Sequence, residues 1–299
     1  MKASKPRKAV NPSAARPRQL EENFMLKRFA GWWLAGPATL AVLVFLILPV
    51  AATIATTFGD DGGIFAPYIA FFNSGFRRAV LWRTIEISLA TTAISLVVGF
   101  LTAYVVSKSP GKLKSLLIIA AVFPLLTGVV VRSFAWLIIL GKNGILNNFL
   151  VGIGAISEPL SMLYTQGSVI VAMVYLFVPL MILTLVGVLE NIPDDIVQAS
   201  SSLGATPAAT FRQVILPLAV PGLIVGAVLV FTGSFTAYAT PQLLGGERQM
   251  VMGTLMYQRA MVSFDWVGAS TIAAIMVVIT VTVVLAMSRV ARRLNPMAT

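Results

Sequence analysis

Five side chains in or beside apolar stretches have the chemical types that attract a cation. A carboxylate supplies the opposite charge, and the face of an aromatic ring attracts an ammonium group. By type and by depth in the apolar stretches, the candidates are Glu86, Trp136, Phe235, Tyr238 and Asp265. Packing and lipid contact are the alternative for each ring, because these are the usual roles of aromatic residues in apolar helices. The five residues define a candidate substrate pathway for a cation.

Arg132 is a candidate structural charge within an apolar stretch. It follows Ser115 by 17 positions, which is about 26 Å of helix rise and places it near the outer boundary of a membrane. Glu86 opens the preceding apolar stretch on that same side. A pair of Arg132 with Glu86 would satisfy two costly charges. A snorkelling arginine and a substrate-facing role are the alternatives.

The residue types for enzyme chemistry are missing. The chain contains 0 His and 0 Cys, which excludes thiolate or imidazole metal sites and catalysis by Ser-His-Asp or Cys-His. The nucleotide-binding run G-x-x-x-x-G-K-[S/T] does not occur in the sequence. We therefore predict no catalytic residue, no metal site and no cofactor on this chain.

The composition is that of a membrane protein. Of the 299 residues, 58% are hydrophobic and 11% are charged, whereas soluble domains carry about 25% charged residues. A helix needs about 20 mostly apolar residues to cross the hydrocarbon core. Six stretches satisfy this requirement: Leu34–Phe58, Ile85–Val106, Ser115–Leu140, Ser168–Leu189, Leu218–Thr240 and Gly268–Met287. The sequence predicts an all-α membrane protein with six transmembrane helices, the first retained as an anchor.

The basic residues predict the orientation. If the N-terminus is cytoplasmic, 15 Lys and Arg residues lie on its side and six on the other, so both termini are predicted to be cytoplasmic. Residues 1–30 form a basic cytoplasmic tail and residues 31–299 the transmembrane domain. The loops 59–84, 141–167 and 241–267 then face outward. Their aromatic residues fit either contact with an external partner or anchoring at the membrane interface.

The inward connection at residues 191–217, here called the elbow, has the pattern of two short helices. Asp194 and Asp195 fit the first turn of a helix that begins at Pro193, and Gly204 is a natural helix stop. The pair Thr206-Pro207 fits the N-cap and first residue of a second helix. We expect that helix to end before Pro217.

The elbow resembles the EAA motif of permeases of ABC importers. The matching residues are Gln198-Ala199-Ser200, Gly204-Ala205, Phe211 and Val214-Ile215-Leu216-Pro217. In that family the first helix of the motif is a coupling helix that docks on a cytoplasmic ATPase. Gln198 replaces the usual Glu, which removes a charge. The resemblance implies the type I ABC importer permease fold and a coupling role for Gln198, Ala199, Ser200, Gly204, Ala205, Phe211, Leu216 and Pro217.

Other segments resemble the spermidine/putrescine branch of these permeases. They are Pro124-Leu125, the run from Arg132 to Trp136, the run from Gly144 to Asn147, and the run from Thr240 to Gly246. Branches that carry iron, thiamine or opine-like solutes share parts of this pattern. The resemblance therefore implies transport of a polyamine or a related small solute across a bacterial inner membrane.

The resemblance also implies partners. They are an ATPase dimer that holds ATP and Mg²⁺, a second permease subunit in a heterodimer, and a periplasmic solute-binding protein. A secondary carrier is the rival within transport, although it would need more acids inside the spans for ion coupling than this sequence offers. A membrane-embedded enzyme is disfavoured, because the chain offers no plausible set of catalytic groups.

Overall fold

The computed structural model describes residues 36–37, 39–58, 63 and 65–294, and all regular structure in this part is helical. The chain divides into two units, Met1–Ala55 and Thr56–Thr299. The helices, in chain order, are α1 (Thr39–Phe58), α2 (Ala66–Asn73), α3 (Gly75–Lys108), α4 (Gly111–Leu126), α5 (Val129–Leu140), α6 (Ile145–Gly152), α7 (Gln166–Glu190), α8 (Asp194–Ser202), α9 (Pro207–Thr236), α10 (Ala239–Gly245), α11 (Met252–Tyr257) and α12 (Trp266–Leu294).

Six helical stretches of the described chain are long and apolar enough to cross a membrane, which confirms the predicted number of spans. They are Thr39–Phe58, Gly75–Lys108, Val129–Gly152, Gln166–Glu190, Pro207–Thr236 and Trp266–Val290.

The centre of the second unit is formed by α3, α7 and α9, which pack on one another. Met181 of α7 is fully buried and lies against Gly99 of α3 and Gly226 of α9. On either side of Gly226 in α9, Gly222 faces Val188 and Gly233 faces the ring of Phe177. Small residues let membrane helices approach closely, because lipid provides no hydrophobic drive for their association. The glycines therefore explain why these three helices form the core.

A second apolar cluster lies at the end of the bundle opposite the elbow, here called the far end. It joins α2, α3, α9, α11 and α12, and its buried members include Phe71, Val80, Phe231, Phe235 and Met252. Thr84 supports this cluster, because its Oγ1 accepts a hydrogen bond of 2.9 Å from the backbone N–H of Met252.

The second span begins ten residues earlier than predicted, at Gly75 instead of Ile85. Ser74 caps this helix by accepting a 3.4 Å hydrogen bond from the backbone N–H of Arg77. Arg83 donates from Nη1 to the carbonyl of Met250 at 3.1 Å. Hydropathy shows where a helix leaves the hydrocarbon, but the helix itself can continue beyond that point. The helical turns that carry these two arginines were therefore wrongly predicted to be loop.

The predicted third span, Ser115–Leu140, is two helices instead of one. Helix α4 contains Pro124 and ends at Leu126, and α5 begins after Gly128. A proline removes a backbone donor and its ring disturbs the preceding turn, and Gly128 follows within four residues. The turn 141–144 separates α5 from α6, which carries the polar Asn147 and Asn148. The predicted range Ser115–Leu140 is thus divided between α4 and α5, whereas the stretch counted above as a possible span, Val129–Gly152, comprises α5 and α6.

The prediction that the second elbow helix ends before Pro217 is wrong. Helix α9 runs without interruption from Pro207 to Thr236. A π-helical turn at Phe211–Ile215 ends two residues before the proline, and the N–H of Leu216 bonds the carbonyl of Phe211. The wider turn accommodates a residue that lacks an N–H group. The elbow is thus continuous with the fifth span.

The other span ends follow local capping. The fifth span ends at Thr236, four residues early, because Ala237 takes an extended backbone conformation. The fourth, Gln166–Glu190, and the sixth, from Trp266, contain the predicted ranges. The basic tail at residues 1–30 lies outside the described residues.

Candidate functional site

The first helix of the elbow, α8, is a surface element. It begins after Pro193, carries Asp194 and Asp195 in its first turn and has no buried residue. The side chains of Ile196 and Leu203 are 43% and 88% exposed. Apolar side chains on a short polar helix outside the spans are typical of a contact surface for another protein. This surface comprises the predicted coupling residues Gln198 and Ala199, both of which are exposed.

The turn of the elbow requires its glycine. Gly204 has φ of +83°, a conformation that other residues adopt only with strain. The N–H of Leu203 bonds the carbonyl of Ala199, and the N–H of Ala205 bonds the carbonyl of Ser200, each at 3.1 Å. These bonds satisfy the last carbonyls of α8. The predicted helix–turn–helix arrangement is confirmed as structure, and its coupling role stays a prediction.

A hydroxyl contact fixes the two arms of the elbow to each other. Ser200 Oγ and Thr210 Oγ1 lie 2.7 Å apart, and Thr206 caps the second arm by accepting from the N–H of Ala209 at 3.3 Å. Ser200 stands where the family motif has its second Ala. Its hydroxyl therefore has a local structural use in this chain.

Phe211 attaches the elbow to the core of the bundle. Its ring meets Phe100 edge-on at a centroid distance of 5.6 Å and Tyr104 at 5.4 Å, and both partners are on α3. Leu216, half-buried beside it, packs against the core cluster, whereas Pro217 is exposed. Phe211 and Leu216 thus give the elbow a direct packing contact with α3 and the core cluster.

An apolar groove adjoins Phe211 on the outside of α3, α9 and α12. Its volume is about 480 Å³, and every residue that lines it is apolar. Polar solutes find no hydrogen-bonding partner there, so this groove is not a candidate for their pathway.

Two ion pairs connect the base of the elbow to the α3–α4 connection. Lys114 Nζ lies 2.7 Å from Glu190 Oε1, and both side chains are about one third exposed. Lys108 Nζ lies 3.5 Å from Asp194 Oδ1 in a more exposed pair. The first pair joins the start of α4 to the end of α7, immediately before the elbow. Sequence reasoning used the two lysines only in the count of basic residues and Asp194 only as a residue of the first turn of α8, and it predicted neither pair.

The candidate residues for cation binding do not form one site. Glu86 is exposed on α3, and its Oε2 accepts a 3.1 Å hydrogen bond from Gln166 Nε2 at the start of α7. Trp136 meets Tyr175 of α7 edge-on at 5.6 Å. Gln166 and Tyr175 are nine residues apart, which places them on opposite sides of α7. The carboxylate and the indole therefore occupy different faces.

Phe235 and Tyr238 lie at the far end. Phe235 is fully buried and stacks on Phe231 at 5.6 Å, so it is a core residue in this conformation. Tyr238, beyond the last residue of the span, stacks on Tyr257 at 4.4 Å. Desolvation, with a smaller contribution from Tyr257, raises the pKa of Tyr238 above its ordinary value. Tyr238 is therefore neutral at physiological pH, and one face of its ring is covered by Tyr257.

Asp265 caps α12. Its Oδ1 accepts a 2.8 Å hydrogen bond from the N–H of Gly268, and its Oδ2 lies 3.0 Å from Arg259 Nη1. Both carboxylate oxygens therefore have a structural partner, and a cation would have to compete with Arg259 for this residue. Among the described residues, no three side chains of metal-binding type come together.

The anticipated pair of Arg132 with Glu86 does not form. The side chain of Arg132 is 6% exposed and donates from Nη1 to the carbonyls of Pro124 at 2.7 Å and Thr127 at 3.4 Å. Because the chain breaks at Gly128, Arg132 lies in the first turn of a new helix and reaches the free carbonyls at the end of α4. Arg132 thus joins α4 to α5, the two halves of the predicted third span. The sequence predicted one continuous helix, in which these carbonyls would not be free to accept from Arg132.

Sequence reasoning missed one buried polar residue at the far end. The side chain of Asn147 is fully buried. Its Nδ2 donates to the carbonyls of Gly141 and Leu160, and its Oδ1 accepts from the N–H of Leu160. These bonds fix the loop after α6. The signal in the sequence was a pair of asparagines, Asn147 and Asn148, within an otherwise apolar octet.

Comparisons with known proteins place the chain among transport proteins. Residues 113–297 match the family of binding-protein-dependent transport system inner membrane components. The spermidine/putrescine transport system permease protein PotB of Haemophilus influenzae is 31% identical over 75% of this chain and 81% of its own length. PotB of Escherichia coli K12 is 28% identical over 83% and 90%, respectively. The inner membrane ABC transporter permease protein YdcU of the same bacterium is 32% identical over 64% of each chain.

Solved structures support the fold. A bacterial alginate ABC transporter in complex with an alginate pentasaccharide-bound periplasmic protein contains a chain that aligns with a TM-score of 0.75 at 17% identity, covering 93% of this chain and 97% of its own. A chain of the inward-facing MetNI methionine ABC transporter aligns with a TM-score of 0.57 at 20% identity, over 74% and 99%. At these identities the likeness establishes the architecture alone.

Proposed function

The chain belongs to the family of binding-protein-dependent transport system inner membrane components, and we propose that it lines part of the translocation pathway of an ATP-driven polyamine importer. It is a multi-pass permease subunit of an ABC transporter. The more specific steps of the proposal concern its energy source, its partners and its cargo.

ATP and Mg²⁺ act on a partner ATPase, and the elbow is the surface that the ATPase holds. The observation that carries this step is the exposure of α8, which buries none of its own residues while Leu203 is 88% exposed. A rigid helix that presents apolar side chains outside the spans fits a groove on a soluble partner. The charge-free Gln198 leaves this contact dependent on shape and hydrogen bonding.

Movement of the elbow drives alternating access. Phe211 contacts two rings of α3, and α9 continues from the elbow into the core. A displacement of the ATPase surface therefore tilts these helices as rigid bodies. A second, different permease subunit supplies the other half of the pathway, and a periplasmic solute-binding protein delivers the cargo.

Two features support a polyamine as the cargo. The PotB relatives are named for spermidine and putrescine, and the alignments with them span most of both chains. The chain also has a carboxylate, Glu86, that is exposed in the single subunit and free of any cationic partner within the described residues. A carboxylate beside the amide of Gln166 suits an alkylammonium group.

Uptake in proteoliposomes tests the proposal. The chain is reconstituted with its second permease, the ATPase and the binding protein, and ATP-dependent uptake of radiolabelled putrescine and spermidine is measured. We expect uptake to require the ATPase and to fall at least tenfold when the ATPase is omitted. Uptake by the permease alone indicates a secondary carrier and contradicts the proposal. Uptake of a different solute, unaffected by excess polyamine, contradicts the choice of cargo.

A further inference from the structure

A cavity at the far end carries positive charge that no side chain of the described structure neutralises. It has a volume of about 290 Å³ and lies between α2, the first turn of α3 and the start of α12. Its charged lining residues are Arg77, Arg259 and Asp265. We call it the Arg77 cavity.

The charges in this cavity are unequally paired. Asp265 bonds Arg259 through one oxygen and caps α12 through the other, so its single negative charge is already balanced by Arg259. Among the described residues, no carboxylate lies within ion-pair distance of the Arg77 guanidinium. Arg77 is half-buried, which weakens the screening of its charge by water. The cavity thus offers one uncompensated cation to an incoming anion.

The position of the cavity indicates whether lipid or protein supplies that anion. Arg77 and Lys108 are 31 residues apart on the continuous helix α3, a rise of about 46 Å. A bilayer with its headgroups is about 40–45 Å thick. If α3 lies along the membrane normal with Lys108 at the headgroups on the elbow side, this rise places Arg77 at the outer edge of the opposite headgroups. A soluble protein reaches this position more readily than a lipid phosphate does.

We propose that the Arg77 cavity receives an aspartate or glutamate side chain of the solute-binding protein when that protein docks. This inference rests on the proposed function, since it requires a binding protein. Neighbouring side chains extend the surface. Phe264, which immediately precedes Asp265 in the chain, is 71% exposed and has φ of +53°, a strained conformation for a residue other than glycine. Exposed aromatic side chains and arginines are the residue types that contribute most to binding at protein interfaces.

The test measures stimulation of ATPase activity by the binding protein in the fully assembled importer, reconstituted in vesicles. We expect Arg77→Glu to raise the half-maximal concentration of binding protein at least tenfold and to leave the unstimulated ATPase rate unchanged. Arg78→Glu is the matched control, because Arg78 is exposed on the next position of α3 and does not line the cavity. It should change that concentration less than threefold.

A second variant and a rescue keep the result interpretable if Arg77→Glu assembles poorly. Arg77→Gln should reduce the dependence of binding-protein affinity on salt concentration, and replacing one acidic residue of the binding protein by lysine should restore docking to Arg77→Glu. Equal effects of the substitutions at 77 and 78 overturn the inference. So does a response of the Arg77 variants that follows the phosphatidylglycerol content of the vesicles. Failure of the wild-type complex to bind any ATPase instead overturns the proposed function.

Discussion

At the scale of single residues, the described structure assigns most of the chemistry to positioning. Gly204 permits the turn of the elbow, Phe211 attaches it to α3, and Arg132 holds the broken third span together. Each of these residues solves a local problem of backbone geometry or packing. Glu86 and Arg77 differ from them, because their charges have no ionic partner in the described chain.

Substitution of Gly204 by valine should impair coupling without preventing membrane insertion. A β-branched side chain at φ of +83° costs about 1–3 kcal/mol, and the open space around this residue makes backbone strain the only cause. We expect loss of ATPase association or of uptake, measured by co-purification and by transport. Gly204→Asn should retain more activity, since asparagine tolerates this conformation. Gly111→Val is the matched control, in open space with an ordinary backbone. Normal uptake by Gly204→Val would contradict the coupling role.

The sequence predicted the local features of individual residues better than their distant partners. Gly204 and the Thr206-Pro207 pair were predicted correctly, because turn and cap chemistry depends on neighbours in the chain. The partner of Glu86 was not predicted, because Gln166 is 80 positions away in the chain and no sequence pattern connects the two residues. The predicted pair of Arg132 with Glu86 is wrong for the same reason. It is also wrong because the helix is interrupted at Gly128.

At the scale of elements, the ends of helices are where sequence and structure differ. Apolar length predicted six spans correctly, because crossing hydrocarbon imposes a minimum length. It could not show that α3 extends ten residues beyond the apolar part, or that a π-helical turn carries α9 past Pro217. These features depend on capping and on contacts between helices. The pairing of α3, α7 and α9 likewise depends on which glycines face a neighbour.

The ion pair between Lys114 and Glu190 should help to transmit movement from the elbow to α4. It is short and partly shielded from water, so loss of one partner should cost about 1 kcal/mol. We expect Lys114→Glu to reduce uptake several-fold relative to ATP hydrolysis, and the double exchange of Lys114→Glu with Glu190→Lys to restore it. Lys112→Glu, a reversal in the same connection outside the pair, is the control. Equal transport-to-hydrolysis ratios in the single and double variants would exclude a coupling role for the pair.

At the scale of the whole molecule, the candidate residues of the single chain stay apart. Glu86 contacts one side of α7 and Trp136 contacts the other, and Glu86 is exposed. Under the proposed function, a second permease subunit completes a site around the carboxylate. A pattern within one sequence carries no information about a surface that another chain would contribute. The orientation of the termini stays a prediction of the charge distribution.

The central claim is that the elbow is held by a separate ATPase, and a single cysteine tests it most directly. The sequence contains no Cys, so Leu203→Cys provides a unique thiol at the exposed tip of the elbow. We predict that a maleimide reagent labels it rapidly in the isolated permease and at least tenfold more slowly in the complex with the ATPase. A control thiol at Ile153, 60% exposed in the loop between α6 and α7, should react equally in both preparations. Equal reactivity of residue 203 in both preparations would contradict the account.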